Sequence, residues 1–353
     1  MLNPGYTTLS KFVIEQIPPG PHARDLASLL VDVAAVTKAI SAAVRKGPLL
    51  GLSGLTGSEN AQGEAQKKLD VLSDEMFTRG IEWSGLVGAL ASEEMDEVRM
   101  VAGRGRLALV YDPLDGSSNL DVNVAVGSIF SVLELPEGAT GPEAVLQPGS
   151  RQVAAGYAIY GPSTELVLTV GRGTHGFTLD REIGNYVLTA PDMRIPAGTS
   201  EYAINSSNRR FWEPPVTRYV DECKAGREGP RGRDFNMRWV ASLVADVHRI
   251  MVRGGVYLYP RDQRDAYREG RLRLMYEGSP MAFLMEQAGG LASTGRGPIM
   301  DVEPRALHQR VPVIIGSREE VERLERYHRE YDCGEDKPYS SPLFAERSLF
   351  INT

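Results

Sequence analysis

Strand-rich patterning in the first half of the chain and strand–helix alternation in the second predict a mixed α/β (α+β) fold in two subdomains. Length and composition agree: 353 residues with 42% hydrophobic content can bury a large core and exceed the usual size of one domain. The second half alternates apolar strand-like runs with amphipathic helical ones, a rhythm that calls for layered packing.

The elements follow in order. Residues 25–46 carry Leu26, Leu29, Leu30, Val33, Val36, Ile40 and Val44 at helical spacing, one long amphipathic helix. The stretch QGEAQKKLDVLSDEMF (62–77) reads as another helix, with Glu64 and Asp70 about one and two-thirds turns apart and so on different faces. LALVY (107–111) suits a buried strand, which Pro113 is expected to stop because it lacks an amide donor. Runs at 124–135, 153–160 and 166–170, then 175–179 and 186–188, suit a mostly antiparallel sheet, with Gly161-Pro162-Ser163 as one of its turns. Beyond them come strands at 201–204, 256–259 and 313–315 and helices at 216–223, 238–253, 280–288 and 318–331. Pro191, Pro196 and Gly198 interrupt the pattern, placing the boundary near 193–199. This divides the chain into 1–195, 196–332 and a tail, 333–353.

Composition narrows the function. A net charge of −7 argues against a general nucleic-acid binder, without forbidding an anionic substrate. No stretch reads as a membrane span, and the opening MLNPGYTTLSKFV lacks the basic and apolar regions of a signal peptide, so a cytoplasmic protein without a membrane partner is expected. Cys223 and Cys333 are far apart and show no metal or disulfide spacing.

The segment Tyr111-Asp112-Pro113-Leu114-Asp115-Gly116-Ser117-Ser118-Asn119 carries the chemistry. Asp112 and Asp115 are hard oxygen ligands suited to magnesium or manganese, with the Leu114 carbonyl between them. Gly116, Ser117 and Ser118 can turn several amides towards one anion. An isolated Asp-Gly would read as an Asx-capped turn. Here a second acidic station, Ser92-Glu93-Glu94, flanks the same strand, and two such stations can converge on shared cations.

In these motifs the chain resembles the class I fructose-1,6-bisphosphatases, in the longer form of photosynthetic and autotrophic bacteria. DPLDGSSNLDVNVAVGSIFSV resembles that family's metal and phosphate motif, and SLVADVHRIMVRGGVYLYP with GRLRLMYEGSPMAFLMEQAGG resembles its sugar-phosphate half. The similarity runs from about Ala23 to Tyr327.

The resemblance implies a layered α-β-α-β-α sandwich of the sugar phosphatase type with a cleft between subdomains. It implies hydrolysis of the 1-phosphate of fructose 1,6-bisphosphate in gluconeogenesis or the Calvin cycle. Two to three magnesium (or manganese) ions would be held by Glu93, Asp112, the Leu114 carbonyl, Asp115 and Glu277, with Glu64, Asp70 and Glu94 around the third ion and the attacking water. Glu94 or Asp70 would take the water's proton. Asp115, Gly116, Ser117 and Ser118 would meet the reacting end of the substrate. Asn205, Tyr259, Arg271 and Arg238 would hold the distal phosphate and sugar, Arg238 reaching in from a neighbouring subunit of a homotetramer.

Departures from the animal pattern fall in that distal pocket and in the effector region. Trp239 and Asn208 stand where tyrosines are expected and Arg271 where a lysine is, so activity on sedoheptulose 1,7-bisphosphate is expected as well. Ala23-Arg24-Asp25-Leu26-Ala27 and Arg106-Leu107 replace the residues of the family's AMP site, so AMP inhibition is not expected, and the plastid relatives' cysteine-bearing insertion has no counterpart. An inositol monophosphatase-like or bisphosphate nucleotidase-like enzyme is the alternative, although its late Trp-Asp motif is missing and Glu277 takes that place.

Overall fold

The computed structural model describes residues 6–52, 55–59, 65–103 and 105–337. Glu64 and residues 338–353 of the tail lie outside the described residues.

The first half opens with α1 (Leu9–Gln16) and α2 (Ala23–Lys46), followed by the paired β1 (Leu55–Glu59) and β2 (Ala65–Lys67) and by α3 (Lys68–Glu82). It continues through β3 (Val87–Ser92), β4 (Arg99–Met100), β5 (Leu107–Asp115), β6 (Val126–Glu134), β7 (Gln152–Tyr160), β8 (Thr164–Thr169), β9 (Thr174–Asp180) and β10 (Asn185–Ala190). These form an eight-stranded sheet in the order β10-β9-β8-β7-β6-β5-β3-β4, antiparallel except for the β3–β5 pair. Alternation along its strands separates two buried faces. On one, Leu107, Leu109, Tyr111 and Phe130 pack with Leu29, Leu30, Val33 and Ile40 of α2 and Phe77 and Ile81 of α3.

The second half comprises β11 (Glu201–Ile204), α4 (Pro214–Ala225), β12 (Asn236–Met237), α5 (Leu243–Arg253), β13 (Val256–Tyr259), β14 (Leu272–Arg273), α6 (Ser279–Gln287), β15 (Leu291–Ser293), β16 (Arg310–Val311), β17 (Val313–Gly316) and α7 (Arg318–Asp332). Its five-stranded sheet runs β12-β11-β13-β17-β15. Val244, Val247 and Ile250 of α5 and Met281 and Leu284 of α6 fill the space between the sheets, meeting Ile129, Tyr157 and Val167 on one side and Ala203, Tyr257 and Ile315 on the other. On the outer face of the second sheet, Tyr202, Val256 and Ile314 pack with Tyr219 of α4 and Val321 and Leu324 of α7. The order is therefore helix, sheet, helix, sheet, helix.

Four expectations are corrected. The helix expected over 62–77 begins at Lys68, because the Asp70 carboxylate accepts the Lys67 amide at 2.8 Å and 65–67 pair as a strand, so the helical-turn argument for Glu64 falls. The helix expected over 238–253 begins at Leu243. There Ser242 caps the Ala245 amide at 3.3 Å, and Ala241, at φ 65°, breaks the helical path. Pro113 does not stop its strand: β5 runs on to Asp115, and its register against β6 shifts between Asp112 (opposite Ile129) and Asp115 (opposite Gly127), one extra residue in a bulge. Finally, α2 is long and apolar enough by length and composition to span a membrane, although half of its apolar window is buried. Its apolar side is accounted for by packing on the first sheet.

Candidate active site

The end of β5 opens into a cavity of about 320 Å3, lined from both halves of the chain by Lys67, Asp70, Glu93, Glu94, Asp112, Leu114, Asp115, Gly116, Ser117, Ser118, Arg273 and Glu277. The strand delivers Asp112, Leu114 and Asp115. Glu93 follows β3, and its amide donates to the Tyr111 carbonyl at 3.1 Å, tying the second acidic station to the first. Glu277 comes from the other half, in the π-helical turn Leu274–Gly278 before α6, where its carboxylate accepts the Arg273 amide at 2.6 Å.

Carboxylate oxygens of Asp112, Asp115 and Glu277 lie within 4.8 Å of one another, and all three residues are buried. Burial first, and then the charges of Glu93, Asp115 and Glu277, push the Asp112 carboxyl well above its ordinary pKa. Burial also raises Asp115, opposed by donors from the start of α5: the Val244 amide at 2.9 Å, the Ser242 hydroxyl at 2.7 Å and the Leu243 amide at 3.3 Å. Cations among its oxygens would favour the charged form of such a set, and buried hard-oxygen donors of this kind fit divalent metal. Arg273 supplies part of the positive charge, with Nη2 at 3.2 Å from Glu93 and Nη1 at 3.8 Å from Glu277.

Gly116 turns the chain from strand to the 3-10 turn Ser117–Val122 with φ 73°, and a Cβ there would lie 2.7 Å from the Ser242 Cβ. The first amides of such a turn have no acceptor within it. Ser117 Oγ reaches Asp70 at 3.3 Å.

A second group gathers around the end of β13. Arg271 Nη1 donates to the Tyr259 hydroxyl at 3.5 Å, and its guanidinium lies 3.7 Å from the centre of the Tyr267 ring. Trp239 stacks on Tyr257 at 5.5 Å and stands edge-on to Tyr259 at 5.7 Å. Asn208 accepts from Arg264 at 3.2 Å, and Asn205 caps the neighbouring turn by accepting the Ser207 amide at 3.2 Å. Burial raises the Tyr257 phenol well above its ordinary pKa, and the charges of Tyr259, Asp246, Asp115 and Glu277 add to it.

The structure thus brings together Asp70, Glu93, Glu94, Asp112, Leu114, Asp115, Gly116, Ser117, Ser118 and Glu277, and separately Tyr259 and Arg271. Arg238 is not in its own chain's cavity: it is half exposed, 3.7 Å from Glu201. Lys67, Ser242, Tyr267 and Arg273 are contributors that the sequence reading missed. Only Arg273 had a visible signal, standing four residues before Glu277.

Residues 7–191 match the family described as fructose-1-6-bisphosphatase, N-terminal domain, and residues 195–329 match its C-terminal domain. The chain belongs to the fructose-1,6-bisphosphatase family. It is an enzyme of the phosphoric monoester hydrolase class. It is 57% identical over 350 residues to the class 1 fructose-1,6-bisphosphatase of Hydrogenophilus thermoluteolus, covering 97% of each chain. With that of Methylacidiphilum infernorum (isolate V4) it shares 54% over 350 residues, covering 98% of each. The Leishmania major fructose-1,6-bisphosphatase in its holo form superposes with a TM-score of 0.86 at 39% identity, over 93% of this chain and all of that one. The same protein in its T-state gives 0.81 at 38% identity over 93% of this chain. The layered sandwich is thus the fold of a fructose-1,6-bisphosphatase, and the inositol monophosphatase-like alternative gives way to it.

Proposed function

We propose that the chain hydrolyses the 1-phosphate of fructose 1,6-bisphosphate with magnesium, and that it also accepts sedoheptulose 1,7-bisphosphate. The observation that carries this is the convergence of three buried carboxylates within 4.8 Å, with an arginine–tyrosine pair at the end of β13 available for a second phosphate. Asp112, Asp115, Glu277, Glu93 and the Leu114 carbonyl are the cation ligands, and Glu64 is assigned with Asp70 and Glu94 to a third position. A bound divalent cation lowers the pKa of a coordinated water and offsets phosphoryl charge.

The chain's own groups do the rest. Glu94 or Asp70 accepts the proton of the attacking water. Amides of Gly116, Ser117 and Ser118 hold phosphoryl oxygens as charge develops on them. Arg271 and Tyr259 hold the distal phosphate with Asn205, since a guanidinium fork binds phosphate in two places and keeps its charge. Trp239 and Asn208 offer no phenolic donors there, so the pocket discriminates less between sugars that differ beyond the reacting end. The family's pattern adds a homotetramer in which Arg238 completes a neighbour's pocket, and a cytoplasmic role in gluconeogenesis or the Calvin cycle.

The test is phosphate release by the purified protein from both ketose bisphosphates, with magnesium and with a chelator. Turnover of both with magnesium is expected. No release from fructose 1,6-bisphosphate under any metal condition would refute the reading.

A further inference from the structure

We propose that a second cavity is a binding site for a compact organic polyanion, and that its occupancy is felt in the sugar pocket. This cavity, of about 430 Å3, shares no lining residue with the carboxylate cavity. Five guanidiniums line it, those of Arg261, Arg268, Arg296, Arg305 and Arg310, against the single carboxylate of Glu269. In a chain of net charge −7 this is a local reversal of sign.

Three of the five arginines have acidic partners. Glu213 is shared by Arg261 at 2.9 Å and Arg296 at 3.1 Å, Asp332 takes Arg296 at 2.7 Å, and Asp265 takes Arg268 at 2.9 Å. Among the described residues no carboxylate pairs with Arg305 or Arg310. Arg310 instead donates to the Ala266 carbonyl at 3.0 Å. Two guanidiniums without anions at the wall of a concave space suit carboxylate or phosphate groups, which their planar forks bind in two places. The volume suits a small acid carrying two or three such charges, at the lower end of about 300–1,000 Å3 for small-molecule sites.

The wall is also joined to the proposed sugar pocket. Leu272 and Arg273 pair with Val311 and Arg310, and Gly270, at φ 97°, lies so close that a Cβ would stand 2.3 Å from the Val311 carbonyl. The 261–270 segment therefore moves with the cavity wall, and it carries Tyr267, against which Arg271 rests. This coupling rests on the role proposed above for Arg271. The binding site does not.

The experiment follows thermal unfolding of the whole protein without substrate and with a chelator, at matched ionic strength. The probes are tricarballylate and, separately, 3-phosphoglycerate. A saturable rise in Tm with either supports the site, and the probe that acts distinguishes carboxylate from phosphate chemistry. The double variant Arg305→Glu, Arg310→Glu should weaken the effect by about tenfold or more, whereas Arg271→Ala should leave it. If the double variant fails to fold, Arg305→Ala, at an exposed side chain, serves with a smaller expected loss. No saturable rise, or one unchanged in these variants, overturns the site. In activity assays, saturating probe should shift KM for the ketose bisphosphate by about twofold or more in the wild type and leave it unshifted in the double variant. An unchanged wild-type KM with binding intact overturns the coupling alone, and a protein without turnover still gives the thermal result.

Discussion

At the scale of single residues, the carboxylates at the end of β5 differ in what holds them. Asp112 shares a side-chain hydrogen bond with Glu93 and accepts the nearby Leu114 amide at 2.9 Å. An asparagine oxygen can keep the bond from the Leu114 amide while removing a charge that Glu93, Asp115 and Glu277 all oppose. Asp112→Asn should therefore lower kcat by about a hundredfold or more and leave metal-free stability equal to or above wild type, as read by phosphate release and urea unfolding. Near wild-type turnover would remove Asp112 from the metal set. Asp115→Asn should lose the same activity and also stability, because two amides and a hydroxyl donate to both its oxygens and an NH2 group would face one of them. The cost should be about 1–3 kcal/mol, seen as a lower urea midpoint.

At the scale of elements, α7 contains a group whose pH response has a definite sign. His328 is buried and donates from Nδ1 to the Leu324 carbonyl at 2.7 Å. Burial lowers its pKa, opposed by that bond and by the charges of Glu213 and Asp332, while Arg296 reinforces the fall. The unfolded chain then binds a proton at a higher pH than the folded one. This contribution to stability is present above the unfolded pKa of about 6.5 and is lost as pH falls through the folded value. The urea midpoint should drop from pH 7.5 to pH 5, with a shallower drop in His328→Gln, and equal slopes would refute the assignment. Elements also show what the sequence made legible. The Asp-Pro-Leu-Asp-Gly run names its chemistry because its ligands are local. Ser242 and Arg273 did not, since their contacts with Asp115 and Glu93 cross from one half of the chain to the other. The start of α5 was misplaced because Trp239, Val240 and Ala241 continue an apolar pattern that the backbone breaks at Ala241.

At the scale of the whole molecule, Arg238 is half exposed and 3.7 Å from Glu201, open to a neighbouring subunit in the proposed assembly. Hybrids of an Arg238→Ala chain with an Asp112→Asn chain should recover activity that neither parent has, and a fully active monomer by sedimentation would refute the tetramer. AMP should inhibit weakly or not at all: Arg24, Ala27 and Leu107 stand in place of the small, hydroxylated and phenolic residues of the AMP-site pattern, and Arg106 already donates to the Leu135 carbonyl at 3.1 Å. Cooperative inhibition by AMP in the micromolar range, titrated at subsaturating substrate, would overturn this. The extra residue in β5 has a consequence of parity. Along an unbroken strand, positions three apart look in opposite directions, so Asp112 and Asp115 would be separated by the sheet itself. The bulge spends one residue to change the count, sending Leu114 into the apolar cluster of Leu107, Leu109 and Tyr111 and turning both aspartates to the same side. A strand that kept both Pro113 and Leu114 but lost the bulge would restore odd–even order, point the second carboxylate into that oily layer, and leave a sheet with half an active site on each face.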